Sequence, residues 1–238
     1  QRFHPVRVWK RGRLVAEEGK PLEVPRSPMP DWMRGSVRVP HLTAGSFRIE
    51  ATGRVRVIGV EPGQIVTRAL VEDVTSVDGQ AVADPARDLA KIAVVERHRG
   101  TGRIGLGFVR GFGLERGALA STHAHDAHNV VVVGVDDGDM ATAVNRLAET
   151  GGGQVAVAGS AVLGEVPCPF GGLLSDRPAE EVATAVHAMG KAAEELGVNL
   201  PSPFAAMSFL ALSVVPELKL TDRGLIDVDR FELVPLQV

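Results

Sequence analysis

Residues 130–153, VVVVGVDDGDMATAVNRLAETGGG, determine the fold class of this chain. The run of four valines bounded by Gly134 is typical of a buried β-strand. Asp136 or Asp137 can cap a following helix, because a short carboxylate accepts hydrogen bonds from the free backbone N–H groups of the first turn. The apolar positions after the cap recur at helical spacing: Met140, Val144 and Leu147. Since three glycines then end the pattern, the stretch predicts a strand followed by a helix.

Two strands and two helices are predicted downstream. Residues 154–158 and 161–165 are strand-like, and Gly159-Ser160 between them suits a tight hairpin turn. Residues 178–196 predict a second helix with a cap at Ser175-Asp176 and an end at Gly197. Its predicted apolar face consists of Val182, Val186, Met189, Ala193 and Leu196. With a short third helix at 204–212, these elements predict an α+β fold in which helices flank a mixed β-sheet.

The first 80 residues predict a separate, small β-rich unit. Residues 1–22 alternate in polarity around Arg11-Gly12-Arg13, as in a β-hairpin. Residues 21–40 contain five prolines in a polar setting, which favours an extended linker. Strand-like runs follow between residues 47 and 77. We therefore predict a β-rich unit at residues 1–80 and an α+β domain at residues 81–238.

The composition excludes several classes of protein. The chain has 238 residues, of which 45% are hydrophobic and 23% charged, as in an ordinary globular protein. A formal net charge of −3 without a basic face predicts no nucleic-acid partner. No apolar run is long enough to span a membrane, and the single cysteine, Cys168, excludes a Cys-rich zinc site. We predict a cytoplasmic location, and the start at Gln1 without Met predicts a processed or excised segment.

The densest group of metal-ligating side chains lies in residues 121–129, STHAHDAHN. Imidazole and carboxylate groups are the ligands that zinc, iron and manganese prefer. A turn after Asp126 could bring these side chains together, so His125, Asp126 and His128 are candidate metal ligands. The alternative is a hydrated loop in which the histidines form only structural hydrogen bonds.

A second polar group, Glu96-Arg97-His98-Arg99, follows a predicted strand that begins at Ile92. Glu96 could act as a general base with His98 beside it, and Arg97 could bind a carbonyl or an anion. The alternative is a solvated corner with one ion pair.

Glycines alternate in residues 100–107, GTGRIGLG. The run formally contains the spacing of a dinucleotide-binding loop, but the residues that follow predict a strand where that motif requires a helix. Alternating glycines instead predict a strand that another backbone or a ligand approaches closely.

From Lys91 onward the chain resembles the C-terminal domain of bacterial adenine deaminases. The resemblance is carried by motifs in family order: KIAVVERH at 91–98, GFVRGFGL at 107–114, AHDAHN at 124–129, DMA at 139–141, AVNRL at 143–147, SFLAL at 208–212 and PELKLTDRG at 216–224. The first 90 residues are similar mainly through IGVEPGQI at 58–65.

The resemblance implies a larger amidohydrolase-type enzyme that hydrolyses adenine to hypoxanthine and ammonia. It implies a metal-bearing barrel with manganese or iron, expected before Gln1, and a composite β-domain of which the N-terminal unit would be a remnant. It also implies homo-oligomers, packing of this region on the barrel, and an inactive isolated segment. Glu96 and His98 are then candidate catalytic residues, and Arg97 and Asn129 are candidate substrate contacts.

Two other interpretations remain open from the sequence. The region could be a non-catalytic packing or dimerisation module of that enzyme, with a structural histidine cluster. It could also be a self-contained metal-dependent hydrolase that uses the loop from His123 to His128.

Overall fold

The computed structural model describes residues 5–22 and 29–238. These residues form two compact units, Gln1–Pro30 and Asp31–Val238. Residues 1–4 and 23–28, which include part of the predicted linker, lie outside the described residues. Among the residues described, no helix combines the length and apolar character needed to cross a bilayer.

The first unit contains a three-stranded antiparallel sheet of β1 (Arg7–Lys10), β2 (Arg13–Glu17) and β3 (Lys20–Pro21). Arg11 and Gly12 both have positive φ angles, 50° and 75°, in the turn between β1 and β2. The predicted hairpin is therefore confirmed.

The second unit contains the remaining strands: β4 (Gly53–Val60), β5 (Thr67–Val74), β6 (Ser76–Val77), β7 (Gln80–Ala81), β8 (Leu89–Val95), β9 (Ile104–Arg110), β10 (Ala118–Ser121), β11 (Val130–Gly134), β12 (Gly153–Ala158), β13 (Ala161–Pro167), β14 (Leu218–Thr221), β15 (Gly224–Asp227) and β16 (Glu232–Val234). Eight of them form one sheet in the order β13-β12-β10-β11-β8-β9-β4-β5. All neighbours in this sheet are antiparallel except β4 and β9, so the sheet is mixed. Strands β14, β15 and β16 form a second, antiparallel sheet, and β6 pairs with β7.

Across residues 5–22 and 29–238, three α-helices accompany the sheets: α1 (Asp137–Thr150), α2 (Ala179–Glu195) and α3 (Pro203–Leu210). Short 3-10 helices occur at Asp31–Met33, Ala44–Phe47 and Pro85–Arg87. The Asp136 side chain accepts a hydrogen bond from the Asp139 amide at 2.8 Å, and Gly151 ends α1 with a φ of 80°. The predicted α+β class and both ends of α1 are confirmed.

The core lies on both faces of the large sheet, which explains the run of four valines in β11. Because successive side chains of a strand point to opposite faces, Val131 and Val133 pack in the cluster that contains α2 and α3. Val130 and Val132 pack in the cluster that contains α1. Burying each such side chain stabilises the fold by about 1.5–3 kcal/mol, so the sheet is held from both sides.

The structure differs from the predicted domain division. The predicted boundary at residue 80 falls inside the second unit, which begins at Asp31. The reason is that β4 pairs in parallel with β9 through Val57 and Phe108, and β5 extends the same sheet. Residues 53–74 are thus part of the α+β sheet.

Helix α2 also differs from its predicted pattern. It begins at Ala179 with Pro178 at the N-cap position, and no side chain caps it. Val186, predicted on the apolar face, is 49% exposed, whereas Met189 and Ala193 are buried. The C-terminal half of α2 therefore provides its buried surface.

Candidate functional site

The candidate residues meet at one edge of the large sheet. Strand β8 ends at Val95, which is paired both with the first residue of β11, Val130, and with the first residue of β9, Ile104. The connections at these ends therefore lie side by side. We call the loop edge the set of residues 96–103, 122–129, 211–214 and 221–223.

Glu96 organises the first of these loops. Its Oε1 accepts hydrogen bonds from the backbone amides of His98 at 2.6 Å and Arg99 at 2.8 Å. Its Oε2 accepts from the amide of Thr101 at 3.0 Å and from its hydroxyl at 2.8 Å. Burial alone would raise the pKa of Glu96, but these hydrogen bonds outweigh it and lower the pKa to about 2. Such a carboxylate is a weak base at neutral pH, so its placement favours a structural role over the predicted catalytic one.

Arg97 is 2% exposed and connects three segments of the unit. Its Nε donates to the carbonyl of His128 and its Nη2 to the carbonyl of Gly171 at 3.0 Å. Its Nη1 donates to the hydroxyl of Ser36 at 3.3 Å. Burial lowers the pKa of this guanidinium. Since these donors are engaged with the protein, the placement does not favour the predicted contact between Arg97 and a substrate.

Gly172 makes this arrangement possible. Its φ is 73°, and a Cβ there would come within 2.7 Å of the Arg97 Nη1. Only a residue without a side chain lets the backbone approach the guanidinium this closely.

His98 is exposed and joins two loops of the loop edge. Its Nε2 lies 2.7 Å from the carbonyl oxygen of Ala127, within hydrogen-bond distance. The 96–103 and 122–129 loops, predicted separately from the sequence, are thus brought together.

The three predicted metal ligands lie in the second loop, but they do not form a set of metal ligands. The His125 ring packs against the Phe209 ring, with ring centroids 5.0 Å apart. The centroid of the His128 ring lies 6.1 Å from that of the His125 ring. In the described part of the chain, no group of three or more His, Cys, Asp or Glu side chains is arranged to hold a metal ion. Burial and the neighbouring charge of Arg97 lower the pKa of His128, and that charge also disfavours a nearby metal cation. The donor set in these residues does not fit a metal ion.

Unpaired polar atoms are concentrated in the same loop. Four buried side-chain nitrogen or oxygen atoms lack a hydrogen-bond partner within the described residues, and three belong to this loop: His123 Nδ1, His128 Nδ1 and Asn129 Oδ1. A buried polar atom without a partner costs about 1–3 kcal/mol. Buried polar atoms in proteins usually have a partner, so this clustering distinguishes the loop from the rest of the described residues.

Asp222 lies at the same edge, although no local sequence pattern predicts it as a site residue. Its Oδ2 accepts a hydrogen bond from Arg103 Nε at 2.6 Å, and its Oδ1 accepts one from Asn129 Nδ2 at 3.3 Å. A Cβ at Gly105 would overlap the carbonyl oxygen of Thr221, so glycine allows the β14–β15 turn to lie against β9. The alternating glycines did predict such a close approach, but they did not identify the partner.

Two cavities open at the loop edge. One of about 250 Å³ is lined by Val94, Ala124, Asp126, Ala127, Asn129, Ala211, Leu212, Ser213, Val214, Thr221 and Asp222. The other, of about 370 Å³, is lined by Glu96, His98, Arg99, Arg103, Asn129, Asp222 and Arg223. Asn129 and Asp222 line both cavities. The smaller cavity combines apolar walls with a few polar groups, as small-molecule sites do.

Fold and site together define an α+β domain with a small ligand-sized cavity at one sheet edge. Residues 64–232 match the family model of the adenine deaminase C-terminal domain. The chain belongs to this family.

Curated relatives support this assignment. The chain is 48% identical over 235 residues to an adenine deaminase of Desulfatibacillum aliphaticivorans, covering 98% of this chain and 41% of that protein. It is 50% identical over 202 residues to one from Oleidesulfovibrio alaskensis, with coverages of 84% and 35%. It is also 50% identical over 232 residues to one from Moorella thermoacetica, with coverages of 94% and 39%. The chain thus spans between about a third and two fifths of the length of these relatives.

Proposed function

We propose that this chain is the C-terminal portion of an enzyme that hydrolyses adenine to hypoxanthine and ammonia, and that the loop edge forms one wall of its adenine site. The family supports the activity. The observation that carries the placement is the concentration of unpaired buried polar atoms in the loop from His123 to Asn129. These atoms lie in the segment that also lines the 250 Å³ cavity.

Within this proposal Asn129 contacts the substrate. Asn129 lines both cavities, and its Oδ1 has no partner among the described residues. Glu96 and Arg97 hold the surrounding backbone in position through their hydrogen bonds, and His98 keeps the two loops together. Leu212 and Val214 provide apolar surface for the flat faces of a purine. The chain thereby binds and orients the base and excludes water from its faces.

We further propose that a divalent metal, manganese or iron, is held by residues outside this chain. When bound, such a metal supplies an activated water for hydrolysis. In the overall reaction, water adds its oxygen to the purine carbon that bears the amine, the carbon–nitrogen bond breaks, and the amine leaves as ammonia. Packing on the remainder of the enzyme, homo-oligomerisation and a cytoplasmic location stay predictions.

The experiment replaces His125 or His128 by Ala in the complete, metal-loaded protein and measures adenine turnover and metal content. His187, exposed on α2, gives the matched control variant His187→Ala. We expect the loop variants to lower kcat/KM at least about tenfold, the effect of roughly 1.4 kcal/mol, while His187→Ala has no effect. Metal content should stay unchanged, since the donor set does not fit a metal ion. Full turnover in both loop variants would favour the packing module instead.

A further inference from the structure

Asp222 occupies the two-residue turn between β14 and β15 and reaches the loop edge from a distant part of the sequence. Its carboxylate joins Arg103 and Asn129, which lie on two different loops. The side chain is only 14% exposed, whereas that of Arg103 is 46% exposed. The carboxylate therefore lies inside the loop edge, with one charged partner on the solvent side.

The hydrogen bond to Asp222 determines which end of the Asn129 carboxamide is free. A carboxylate only accepts hydrogen bonds, so it binds the Nδ2 of Asn129 and repels its Oδ1. Rotating the carboxamide by 180° would bring two acceptors together. Asn129 is 5% exposed, and its Oδ1 is left without a partner among the described residues. The pair thus leaves an unpaired, enclosed acceptor on a residue that lines both cavities.

An unpaired acceptor requires a ligand with an N–H donor. The smaller cavity is otherwise bounded largely by apolar groups, including Ala124, Leu212 and Val214. These surfaces suit a flat heterocycle with hydrogen-bonding groups at its rim. A site built to accept from a ligand N–H discriminates against an analogue without that donor, because its own polar atom then stays unpaired.

We propose that Asp222 is a positioning residue that orients the Asn129 carboxamide, so that the Oδ1 of Asn129 accepts a hydrogen bond from the amine of an aminopurine. This inference rests on the proposed function for the identity of the purine. The reaction product carries a carbonyl oxygen in place of the amine, and this oxygen would face another acceptor. The Asp222–Asn129 pair therefore favours binding of the substrate and release of the product.

The test uses the complete, metal-loaded protein with Asp222→Asn. A carboxamide at position 222 can donate as well as accept, so the Asn129 carboxamide is free to rotate. Glu72→Gln is the matched control, because the Glu72 carboxylate is similarly enclosed, at 19% exposed, and joins two side chains away from the loop edge, Arg87 at 2.9 Å and Arg110 at 2.6 Å.

Three constants are measured for each variant: the KM for adenine and the inhibition constants of hypoxanthine and 6-methylpurine, which has a methyl group in place of the amine. In Asp222→Asn we expect the adenine KM to rise about fivefold to tenfold, as for one lost hydrogen bond. The inhibition constant of hypoxanthine should fall, since a rotated Asn129 donates to its carbonyl. That of 6-methylpurine should change less than about twofold, and Glu72→Gln should change none of the three.

General damage to the site would weaken the binding of all three ligands together. That result would overturn the proposal, and so would three unchanged constants. If Asp222→Asn does not fold, Arg103→Gln serves as the second variant, because its exposed side chain tolerates substitution. Like Asp222→Asn, it should raise the KM for adenine and lower the inhibition constant of hypoxanthine, but by smaller factors. A wild-type protein without adenine turnover would refute the proposed function. In that case, the equilibrium dissociation constants of adenine and 6-methylpurine would be measured for the wild type and for Asp222→Asn. A loss of affinity for adenine alone in the variant would still support the role of Asp222.

Discussion

The Nε of Arg97 donates a hydrogen bond to the backbone carbonyl of His128, so a buried guanidinium holds the histidine-rich loop at its C-terminal end. His128 has a left-handed backbone with a φ of 51°, which is uncommon for a residue with a side chain. The contact therefore supports a backbone conformation that would otherwise be unfavourable.

Replacing Arg97 by Met should strongly destabilise the protein. The carbonyls of His128 and Gly171 would lose their donors inside the protein, at a cost of about 1–3 kcal/mol each. We expect the free energy of unfolding in urea to fall by about 2–4 kcal/mol. Arg99→Met, at the exposed neighbour, should change it by less than about 0.5 kcal/mol. Equal effects of both substitutions would show that Arg97 does not connect these segments.

Glu96 should make stability depend on pH in the acid range. Its pKa in the folded protein, about 2, lies below the ordinary value of 4.5, so the folded state favours the charged form. The resulting stabilisation, on the order of 3 kcal/mol, is present above pH 4.5 and is lost as the pH falls towards 2. Glu96→Gln should remove it at pH 7 and flatten the curve between pH 5 and 2. Urea titrations at several pH values measure this, and Glu194→Gln on the exposed side of α2 should retain the wild-type curve.

Lys219 should make stability depend on pH in the alkaline range, because here the folded state disfavours the charged form. It is fully buried, its Nζ donates within the described residues only to the carbonyl of Ile65 at 2.9 Å, and burial lowers its pKa to about 8. Because the unfolded chain binds the proton more tightly, stability should rise as the pH increases from 8 to 10.5. Lys219→Met should abolish this rise and stabilise the protein at pH 7 by about 1–3 kcal/mol.

The buried Lys91 provides the contrasting variant. Its Nζ contacts Asp137 Oδ1 at 2.7 Å and the carbonyl of Phe47 at 3.1 Å. Lys91→Met would leave these acceptors without their donor, so it should destabilise the protein. Calorimetric melting between pH 7 and 10.5 compares the Lys219→Met and Lys91→Met variants. Destabilisation by Lys219→Met at pH 7 would contradict the prediction.

Gly105→Ala tests the contact that places Asp222. The added methyl group would overlap the carbonyl oxygen of Thr221, so β9 and the β14–β15 turn must separate. We expect a loss of about 1–3 kcal/mol in stability and a higher KM for adenine in the complete protein. Gly190→Ala in α2, where a Cβ meets nothing within 4 Å, should instead stabilise the protein by about 0.5–1 kcal/mol. Similar effects of the two alanines would show that the close approach is unimportant.

The chain expressed alone, from Gln1 to Val238, should neither deaminate adenine nor retain a metal. Its described residues provide no group of three ligands, and the relatives are more than twice as long. Adenine assays with added manganese or iron and metal analysis after gel filtration measure this. Turnover by this chain, with one metal per molecule, would establish the self-contained hydrolase.

The elements that the sequence predicted well depend on local patterns. The valine run, the Asp136 cap and the glycine end of α1 each follow from one short stretch, and all three are present. Their physical causes, alternating side-chain directions and backbone capping, act over a few residues.

The elements that the sequence did not predict depend on distant partners. The parallel pairing of β4 with β9 joins residues about fifty positions apart, and no local pattern distinguishes it from a separate hairpin. The role of Glu96 also depends on the folded loop. Four hydrogen bonds lower the pKa of its carboxylate and make it a weak base, although a histidine lies two residues away. Asp222 belongs to the family motif at 216–224, but its contact with Asn129 depends on the fold.

Gly105 lets the β14–β15 turn lie against β9, and this turn is synthesised after the whole large sheet. Every strand of the large sheet lies before residue 168, whereas the turn that supplies Asp222 lies some fifty residues later. During synthesis on a ribosome, the sheet can therefore form while the two cavities at the loop edge still lack one wall. Nascent chains arrested near residue 215 should resist proteases across the sheet yet fail to bind adenine, and binding at that length would show that the late turn is dispensable.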